Sequence, residues 1–371
     1  MDVKLLGFLV NPIAGMGGSV GLKGTDTVEI YREALRRGAV KVSPLRARRV
    51  LSTISSIKDI VKIVTCSGEM GEDYVREFSF PYVEVLEVGR TETTAEDTKK
   101  CVREMAERRV SLILFVGGDG TARDIVESIN MNVPVLGVPS GVKMYSSVFA
   151  SNPQAAGIIA VKFLQGELPL RECEVVDIDE SLFRRGVLSV KLYGYALSPY
   201  EPILVQGLKT FTVLTDDEVE NQRAIARFVV EDMDDSLYIL GPGSTVKAIA
   251  DVLNLPKTLL GVDLIHNRRI VALDVDEGRI LSELNRFPKA KIVVTPIGNQ
   301  GFIFGRGNQQ ISPKVIRRVG VENIIVISTK TKIANLRFLR VDTGDEDVDN
   351  MLRRYIKVIV DYREYRMVKA I

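Results

Sequence analysis

The sequence is poor in the residues from which several common kinds of site are built. It has one histidine, His266, so a relay that activates a nucleophile through histidine is not expected. Its three cysteines, Cys66, Cys101 and Cys173, are far apart in sequence and form no Cys-x-x-Cys pair, which argues against a zinc site and against a disulfide framework. These absences favour a protein of a reducing cytoplasm.

An excess of one charge and long apolar runs are missing as well. The 50 basic and 48 acidic residues leave a formal net charge of +2, which provides no large field for nucleic acid or an anionic membrane. No run of about 18 apolar residues occurs, and the amino terminus has the character of a strand rather than of a signal peptide. We therefore expect neither a nucleic-acid partner nor a membrane partner.

A glycine-rich turn is present where a phosphate could bind. Leu112–Val116 is a short apolar run, typical of a strand buried on both faces of a parallel sheet. The turn that follows consists of Gly117, Gly118, Asp119, Gly120 and Thr121. Glycine lets a phosphate approach the backbone, and a helix that Thr121 caps would offer unpaired amides. The charge of Asp119 would repel phosphate unless it binds a metal or accepts a proton, which points to catalysis.

Strand-like and helical patterns alternate over the first 165 residues. Strands are predicted at Lys4–Val10, Val61–Thr65, Val83–Leu86, Leu112–Val116 and Val133–Val138. The best marked helix is Ala95–Arg108, where Thr94 is the expected cap and Asp97 the acid of a capping box. The alternation predicts an α/β protein that begins with a doubly wound, Rossmann-like parallel sheet, whose strand-end loops share one edge.

The second half is predicted to be a mixed domain, β-rich at first and α/β afterwards. Helices are predicted at Val219–Val230, Thr245–Leu253 and Pro313–Val319, between strands at Leu237–Leu240, Ile270–Leu273, Lys291–Thr295 and Asn323–Ser328. We divide the chain into a nucleotide-binding domain (1–168), a substrate or oligomerisation domain (169–345) and a carboxyl-terminal segment (346–371). In that last segment a helix over Val348–Val360 and a tail are expected to pack back on the body.

Another glycine cluster follows the first predicted strand. Gly15, Gly17 and Gly18 do not form the Gly-x-Gly-x-x-Gly fingerprint, because Val20 stands where its third glycine would be. A dehydrogenase is therefore disfavoured, and no Walker motif occurs either. Lys23 is the basic residue of this stretch and a candidate phosphate partner, with an ordinary solvated lysine as the alternative.

A third glycine turn, Gly241–Thr245, follows the predicted strand Leu237–Leu240 and precedes a helix. Ser244 or Thr245 is expected to cap that helix, so Gly243, Ser244 and Thr245 form a candidate anion turn. A helix cap without a ligand is the alternative.

The loop from Thr295 to Gln310 contains four glycines and several carboxamides, which is costly in backbone entropy unless the loop has a function. We expect a substrate site in which Arg306 clamps a phosphate or carboxylate through its planar guanidinium. Asn308 and Gln309 would bind hydroxyls or amides. A hydrogen-bonded structural loop is the alternative.

The Gly117–Thr121 turn resembles the signature loop shared by NAD kinases and diacylglycerol-type lipid kinases. Asn11-Pro12 and the glycines after it resemble the turn that these kinases carry after their first strand. Gly137–Gly141 resembles their next strand-to-turn element, and Gly241–Thr245 is similar to the Gly-Ser-Thr segment in the second half of NAD kinases. The resemblance is closest to the archaeal and bacterial NAD-kinase-like branch that includes the X proteins of acetoin catabolism.

This resemblance implies a kinase that uses ATP or polyphosphate and phosphorylates the 2′-hydroxyl of the adenosine ribose of NAD, giving NADP. Asp119 would accept the proton of that hydroxyl, and Mg²⁺, held near Asp119 or Asp124, would bridge the donor phosphates. The implied phosphate-binding residues are Asn11, Gly15, Gly17, Gly18, Lys23, Gly117, Gly118, Gly120, Thr121, Gly141, Gly243, Ser244 and Thr245. ATP and NAD are the expected partners, and a homo-oligomer is expected.

Two alternatives stay open at the level of the sequence. One is a kinase of a different small hydroxylated metabolite. The other is a regulator that binds a nucleotide or phosphosugar without catalysis. A lipid kinase is less expected, because the sequence contains no basic amphipathic helix of the kind that access to a membrane requires.

Overall fold

The computed structural model describes residues 3–22, 28–89, 93–129, 131–141, 144–178, 190–202, 204–205 and 215–371. The chain divides into two compact units. The first comprises Met1–Met16 and Lys23–Leu208, and the second comprises Gly17–Leu22 and Lys209–Ile371. The domain limits at 168 and 345 stay predictions.

The first unit is built on a five-stranded parallel sheet. Its strands are β1 (Lys4–Val10), β2 (Val61–Cys66), β3 (Val83–Leu86), β4 (Leu112–Gly117) and β5 (Val135–Pro139). They lie in the order β3-β2-β1-β4-β5, and every neighbouring pair is parallel. Continuous apolar strands such as β1 and β4 are stable here because helices cover both faces of the sheet. The predicted strands of this sheet are therefore present, with ends shifted by two residues at most.

The helices that follow these strands confirm the doubly wound arrangement. They are α1 (Val28–Arg36), α2 (Ser43–Ile54), α3 (Glu72–Val75), α4 (Ala95–Glu107), α5 (Asp119–Ile129) and α6 (Pro153–Leu164). α2, α3 and α6 pack on the face that contains Leu6 and Phe8, and α4 and α5 pack on the face that contains Leu9. The predicted capping box of α4 is confirmed, since Thr94 and Asp97 each accept the backbone N–H of the other.

The course of the chain reverses between β1 and β4. From β1 the chain passes to β2 and β3 by way of α2 and α3 on one face. From β4 it passes to β5 by way of α5 on the opposite face. The helices that follow β1 and β4 therefore lie on opposite faces of the sheet, and the carboxyl ends of such a pair of strands are where open α/β sheets bind their ligands.

The second unit contains a seven-stranded mixed sheet in the order β10-β9-β8-β11-β13-β15-β16. Its strands are β8 (Leu237–Leu240), β9 (Asp263–His266), β10 (Arg269–Ala272), β11 (Ala290–Val294), β13 (Ile324–Ile327), β15 (Tyr355–Asp361) and β16 (Glu364–Lys369). β8, β11, β13 and β15 are mutually parallel, and the strands outside them are antiparallel. Two smaller sheets pair β6 (Leu170–Ile178) with β7 (Val190–Pro199), and β12 (Phe302–Phe304) with β14 (Arg340–Val341).

Helices cover both faces of the large sheet of the second unit. They are α7 (Asp216–Glu231), α8 (Ser244–Val252), α9 (Glu277–Arg286), α10 (Pro313–Val319), α11 (Lys330–Ala334) and α12 (Glu346–Leu352). α7 and α8 pack on one face, and α9, α10 and α12 pack on the other. The predicted α/β character of this part is confirmed. In the described part of the chain, no helix has the length and apolarity that crossing a membrane requires.

The predicted helix over Val348–Val360 is wrong in its second half. α12 ends at Leu352, and the chain continues as the strand β15 from Tyr355. Ile356, Val358 and Val360 are buried at every second position, which is the period of a strand. The first half of the prediction, Val348–Leu352, is helical, and the pattern from Tyr355 onward belongs to the sheet.

Cys66 and Cys101 form a disulfide in the first unit, contrary to the expectation from their spacing. Their Cα atoms are 6.4 Å apart and their separation in sequence is 35 residues. Cys66 ends β2 and Cys101 lies on α4, so the packing of the helix on the sheet brings them together. Cys173 is a free, buried cysteine.

Reduction of the Cys66–Cys101 disulfide is expected to lower the thermal unfolding midpoint. For a separation of 35 residues, the constraint on the unfolded chain corresponds to roughly 3–4 kcal/mol. The measurement is thermal unfolding with and without dithiothreitol, with mass spectrometry of the digest to verify the cross-linked peptide. Cys173→Ser is the control and should respond to reductant as the wild type does. An unchanged midpoint after verified reduction would contradict the prediction.

Candidate functional site

The turns that follow β1, β4 and β5 form a candidate site in the first unit. Asn11 connects the turns after β1 and β4 through hydrogen bonds. Its backbone N–H donates to Val116 O (2.9 Å) and its Nδ2 donates to Thr121 Oγ1 (3.0 Å). Its Oδ1 accepts the N–H of Ile13 (3.2 Å). A carboxamide suits this position because it donates and accepts at once, and the result is a fixed distance between the first turn and the start of α5.

α5 begins at Asp119, three residues earlier than predicted, so Thr121 lies inside the helix and does not cap it. The hydroxyl of Thr121 instead accepts the hydrogen bond of Asn11. The first hydrogen bond of the helix joins the N–H of Ala122 to Gly118 O (3.0 Å). The amides of the three preceding residues therefore have no acceptor within the helix, and such amides attract anions.

Glycines let the backbones of these turns come close together. A Cβ on Gly118 would lie 3.3 Å from Gly141 Cα, so the turns after β4 and β5 meet backbone to backbone. Gly15 has φ of +81°, and a Cβ there would collide with the carbonyl oxygen of Ser140. The hydroxyls of Ser43 and Ser140 lie 2.8 Å apart and each donates to Ala14 O at 3.1 Å. The three turns are thus held as one surface.

Asp119 is the first residue of α5, and its side chain is 4% exposed. Its Oδ2 accepts the N–H of Tyr145 (2.6 Å) and its Oδ1 accepts the N–H of Ser146 (3.0 Å). Burial raises the pKa of Asp119 to about 7, although the hydrogen bonds from Ser146 and Tyr145 favour the charged form; the charge of Asp177 raises it further. Each carboxylate oxygen has a second lone pair, so the group can still take a proton.

This pKa links the charge of Asp119 to stability. Because the folded-state value lies above the ordinary 3.8, protonated Asp119 stabilises the fold at acidic pH, and that contribution is lost as the pH rises through about 7. Burial thus disfavours the ionised carboxylate, which is the form that can act as a base.

An ion-paired arginine lies one helical turn after Asp119. Arg123 Nη1 is 2.8 Å from Asp177 Oδ2, and its Nη2 is 3.3 Å from Asp124 Oδ1. A Cβ on Gly120 would lie 3.9 Å from both Arg123 and Asp177, so these charges border the turn. The sequence reasoning missed Arg123 and Asp177. The four-residue spacing from Asp119 could have indicated Arg123, whereas Asp177, Tyr145 and Ser146 are brought there by the fold alone.

The predicted glycine cluster after β1 divides between the two units. Asn11 and Gly15 belong to the first unit, and Gly17 and Gly18 belong to the second. In the second unit a Cβ on Gly18 would lie 3.1 Å from the Cβ of Gln309, so two predicted site residues are neighbours. Lys23 lies outside the described residues, and its phosphate-binding role stays a prediction.

Arg306 lies inside the second unit, where it is 3% exposed. Its Nη1 is 2.7 Å from Asp342 Oδ2 and also donates to Gly305 O (3.1 Å). Asn308 donates to Ile303 O (2.8 Å) and accepts the N–H of Gly305 (3.2 Å). These are the contacts of a hydrogen-bonded structural loop. A substrate-binding role for Arg306, Asn308 and Gln309 stays a prediction.

The helix that follows β8 is capped by a different residue from those predicted. α8 begins at Ser244, and its N-cap is Gly243, which makes no side-chain hydrogen bond. Ser244 and Thr245 are the first residues of the helix, so neither caps it. The hydroxyl of Ser244 accepts a hydrogen bond from Gln222 Nε2 (3.3 Å).

Among the described residues, no group of three or more His, Cys, Asp or Glu side chains could hold a metal ion. Asp124, a predicted candidate ligand, is paired with Arg123. The carboxylates near the Asp119 turn can offer Mg²⁺ one or two oxygens, which fits the usual pattern in which substrate phosphates and water supply the remaining ligands.

Comparison with known proteins gives two family matches that follow one another along the chain. Residues 6–168 match the ATP-NAD kinase N-terminal domain, and residues 233–370 match the ATP-NAD kinase C-terminal domain. The search of curated proteins finds no match.

Two solved structures show weak similarity. A putative diacylglycerol kinase from Bacillus anthracis str. Sterne is 17% identical over 47% of this chain and 45% of that chain, with a TM-score of 0.26. A putative UDP-N-acetylglucosamine 2-epimerase from Listeria monocytogenes is 11% identical over 93% of this chain and 75% of that chain, also with a TM-score of 0.26. With TM-scores this low, the family assignment depends on the two domain matches.

Gly15→Ala is expected to destabilise the protein far more than Gly38→Ala. Both glycines have positive φ (+81° and +76°), but only Gly15 faces a backbone oxygen, whereas a Cβ on Gly38 has nothing within 4 Å. Gly38→Ala should lower the free energy of unfolding by about 1 kcal/mol, because its positive φ strains an alanine. Gly15→Ala should lower it several times as much, by roughly 3 kcal/mol, because the turns after β1 and β5 must also separate. Urea unfolding of the two variants measures the difference. Equal losses would mean that the contact between Gly15 and Ser140 is not tight.

Proposed function

Since this chain belongs to the NAD kinase family, we propose that it transfers the terminal phosphoryl group of ATP to the 2′-hydroxyl of the adenosine ribose of NAD, giving NADP. Polyphosphate is an alternative donor. Membership of the family supports a kinase, and the observation that carries the proposal is the Asp119 carboxyl at the start of α5, with its pKa raised to about 7. A base with a pKa near the working pH is effective in proton transfer.

The turns around Asp119 suit the phosphates of the donor. The amides at the start of α5 point out of the helix, and Gly118, Gly120 and Gly141 carry no side chain to keep a phosphate away. Gly117, Thr121 and Asn11 hold the shape of the turn, and Gly15 allows the first turn to contact Ser140. Phosphoryl transfer needs mainly positioning and neutralisation of charge, which such a surface supplies.

In the proposed step, the 2′-hydroxyl oxygen forms a bond to the terminal phosphorus of ATP. The bond between that phosphorus and the bridging oxygen breaks, and ADP leaves with the electron pair. The proton of the hydroxyl passes to a free lone pair of the Asp119 carboxylate. Hydrogen bonds from the backbone N–H groups of Tyr145 and Ser146 hold this carboxylate in place.

We propose Mg²⁺ as the metal, carried in with the donor phosphates, with Asp119 or Asp124 as candidate ligands. When bound, it would neutralise charge on the phosphates.

The balanced net charge of +2 favours small nucleotides over nucleic acid or an anionic membrane as partners. We also propose a homo-oligomer and a cytoplasmic location; the Cys66–Cys101 disulfide would be unusual in a reducing cytoplasm.

Asp119→Asn is expected to lower phosphorylation by about 10²-fold or more, the usual weight of a positioned base, while nucleotide binding persists. In the wild type, turnover should rise with pH through about 7 as Asp119 ionises. Steady-state kinetics between pH 5.5 and about 8.5 would follow this ionisation. Asp73→Asn, on the exposed side of α3, is the matched control and should retain the wild-type profile. Turnover of Asp119→Asn close to that of the wild type would remove Asp119 from the role of base.

A screen of acceptors with labelled ATP tests the substrate. We expect labelled NADP to be the main product, with the label on the 2′ position. If another small hydroxylated metabolite accepts the label and NAD does not, the chain is a kinase with a different acceptor. If ATP and NAD raise the thermal unfolding midpoint but no phosphate moves, the protein is a nucleotide-binding regulator and the proposed reaction is wrong.

A further inference from the structure

The carboxylate of Asp119 and the backbone N–H groups that bind it come from different elements of the first unit. Asp119 is the first residue of α5, whereas Tyr145 and Ser146 lie between β5 and α6. Their N–H groups donate to the carboxylate at 2.6 Å and 3.0 Å. The geometry of these two bonds therefore depends on what fixes the 145–146 segment relative to α5.

The hydroxyl of Ser146 anchors this segment to β6. It donates to Val176 O (2.9 Å) and accepts the N–H of Val176 (3.1 Å), so it acts as donor and acceptor toward one residue of the strand. The next residue, Ser147, donates its N–H to Glu174 O (3.0 Å). Ser146 is 0% exposed, so water does not compete for these bonds. The segment is thus attached to β6 at two consecutive residues.

The start of α5 is attached to the same strand. Asp177, the next residue of β6, has its Oδ2 atom 2.8 Å from Arg123 Nη1 in α5. The neighbouring strand β7 also lies close to this helix, since a Cβ on Gly194 would be 2.9 Å from Val126 Cγ1. Adjacent residues of β6 therefore hold the carboxylate through α5 and its N–H donors through Ser146.

The position of a catalytic carboxylate decides which of its lone pairs can take a proton. Catalytic groups work within roughly 0.5 Å of their productive position, and a displacement of about 1 Å can lower a rate by about 10²-fold. The proton of the Ser146 hydroxyl is used on Val176 O. This side chain therefore affects the reaction through Asp119 and not by donating to a substrate.

We propose that Ser146 is a positioning residue for Asp119. Its hydroxyl fixes the 145–146 segment on β6, and the N–H groups of that segment hold the Asp119 carboxylate in the orientation in which it takes the proton of the acceptor hydroxyl. This inference rests on the phosphoryl transfer proposed above, whereas the anchoring itself is a property of the first unit that can be measured without turnover.

Steady-state kinetics of the full-length Ser146→Ala variant with ATP and NAD test this role. We expect kcat to fall about tenfold or more with little change in the KM of either substrate, because the base is displaced while the groups that bind substrate remain. Ser67→Ala is the matched control, since Ser67 is also buried and its hydroxyl donates to Leu86 O in β3 (2.8 Å). This control should lose comparable stability and keep the wild-type kcat.

Amide hydrogen exchange at positions 145 and 146, followed by NMR, is a second readout. Exchange should accelerate about tenfold in Ser146→Ala, the weight of one hydrogen bond, because the segment opens locally without its anchor. It should stay unchanged in Ser67→Ala. Ser146→Thr keeps the hydroxyl and should recover most of the lost kcat. If the added methyl group prevents that variant from folding, the exchange comparison decides.

Three outcomes overturn the positioning role. They are equal kcat values for Ser146→Ala and Ser67→Ala, unchanged exchange at positions 145 and 146 in Ser146→Ala, and a KM that rises at constant kcat, which would place Ser146 in substrate binding. If the wild-type protein phosphorylates no acceptor, the proposed reaction fails. Exchange that accelerates only in Ser146→Ala then shows that Ser146 anchors the segment that binds Asp119, although the reaction is rejected.

Discussion

The reversal of chain direction between two adjacent parallel strands is the constraint on which the candidate site of the first unit depends. A helix that follows a parallel strand must pack on one face of the sheet, and open α/β sheets bind ligands at the carboxyl ends of two neighbouring strands whose helices take opposite faces. β1 with β4, and β8 with β11, meet this condition. The glycines at 118 and 243 are then required locally, because backbone must approach backbone or turn sharply where each helix begins.

Burial gives the polar groups at these turns their chemical character and makes them costly for stability. Asp119 is held by two backbone N–H groups, yet removal from water outweighs those bonds and raises its pKa to about 7. The free hydroxyls of Thr245 and Thr295 are a second instance, since neither finds a partner among the described residues. Where a fold keeps polar groups in such an environment, a ligand or a proton that satisfies them is the usual compensation.

Local signals predicted the elements of the fold well and long-range pairings poorly. The apolar runs Lys4–Val10 and Val83–Leu86 are strands with the predicted ends, and the capping box of Thr94 and Asp97 is present, because each depends on residues a few positions apart. The helix over Val348–Val360 was wrong in its second half because a competing sheet supplied partners for Tyr355–Asp361. The Cys66–Cys101 disulfide depends on how α4 packs on β2, which spacing in sequence does not encode.

The amino-acid sequence by itself determined where turns, glycines and a candidate catalytic carboxyl could stand, because strand ends, helix starts and glycine positions follow from local periodicity and steric freedom. Only the tertiary structure decided the environment of each group. It brought the N–H groups of Tyr145 and Ser146 to the Asp119 carboxylate. It also buried Arg306 against Asp342, and it placed the Thr121 hydroxyl where it accepts a hydrogen bond from Asn11. The physical reason is that desolvation and hydrogen bonding act between residues that are close in space, and their separation in the sequence does not show that they are in contact.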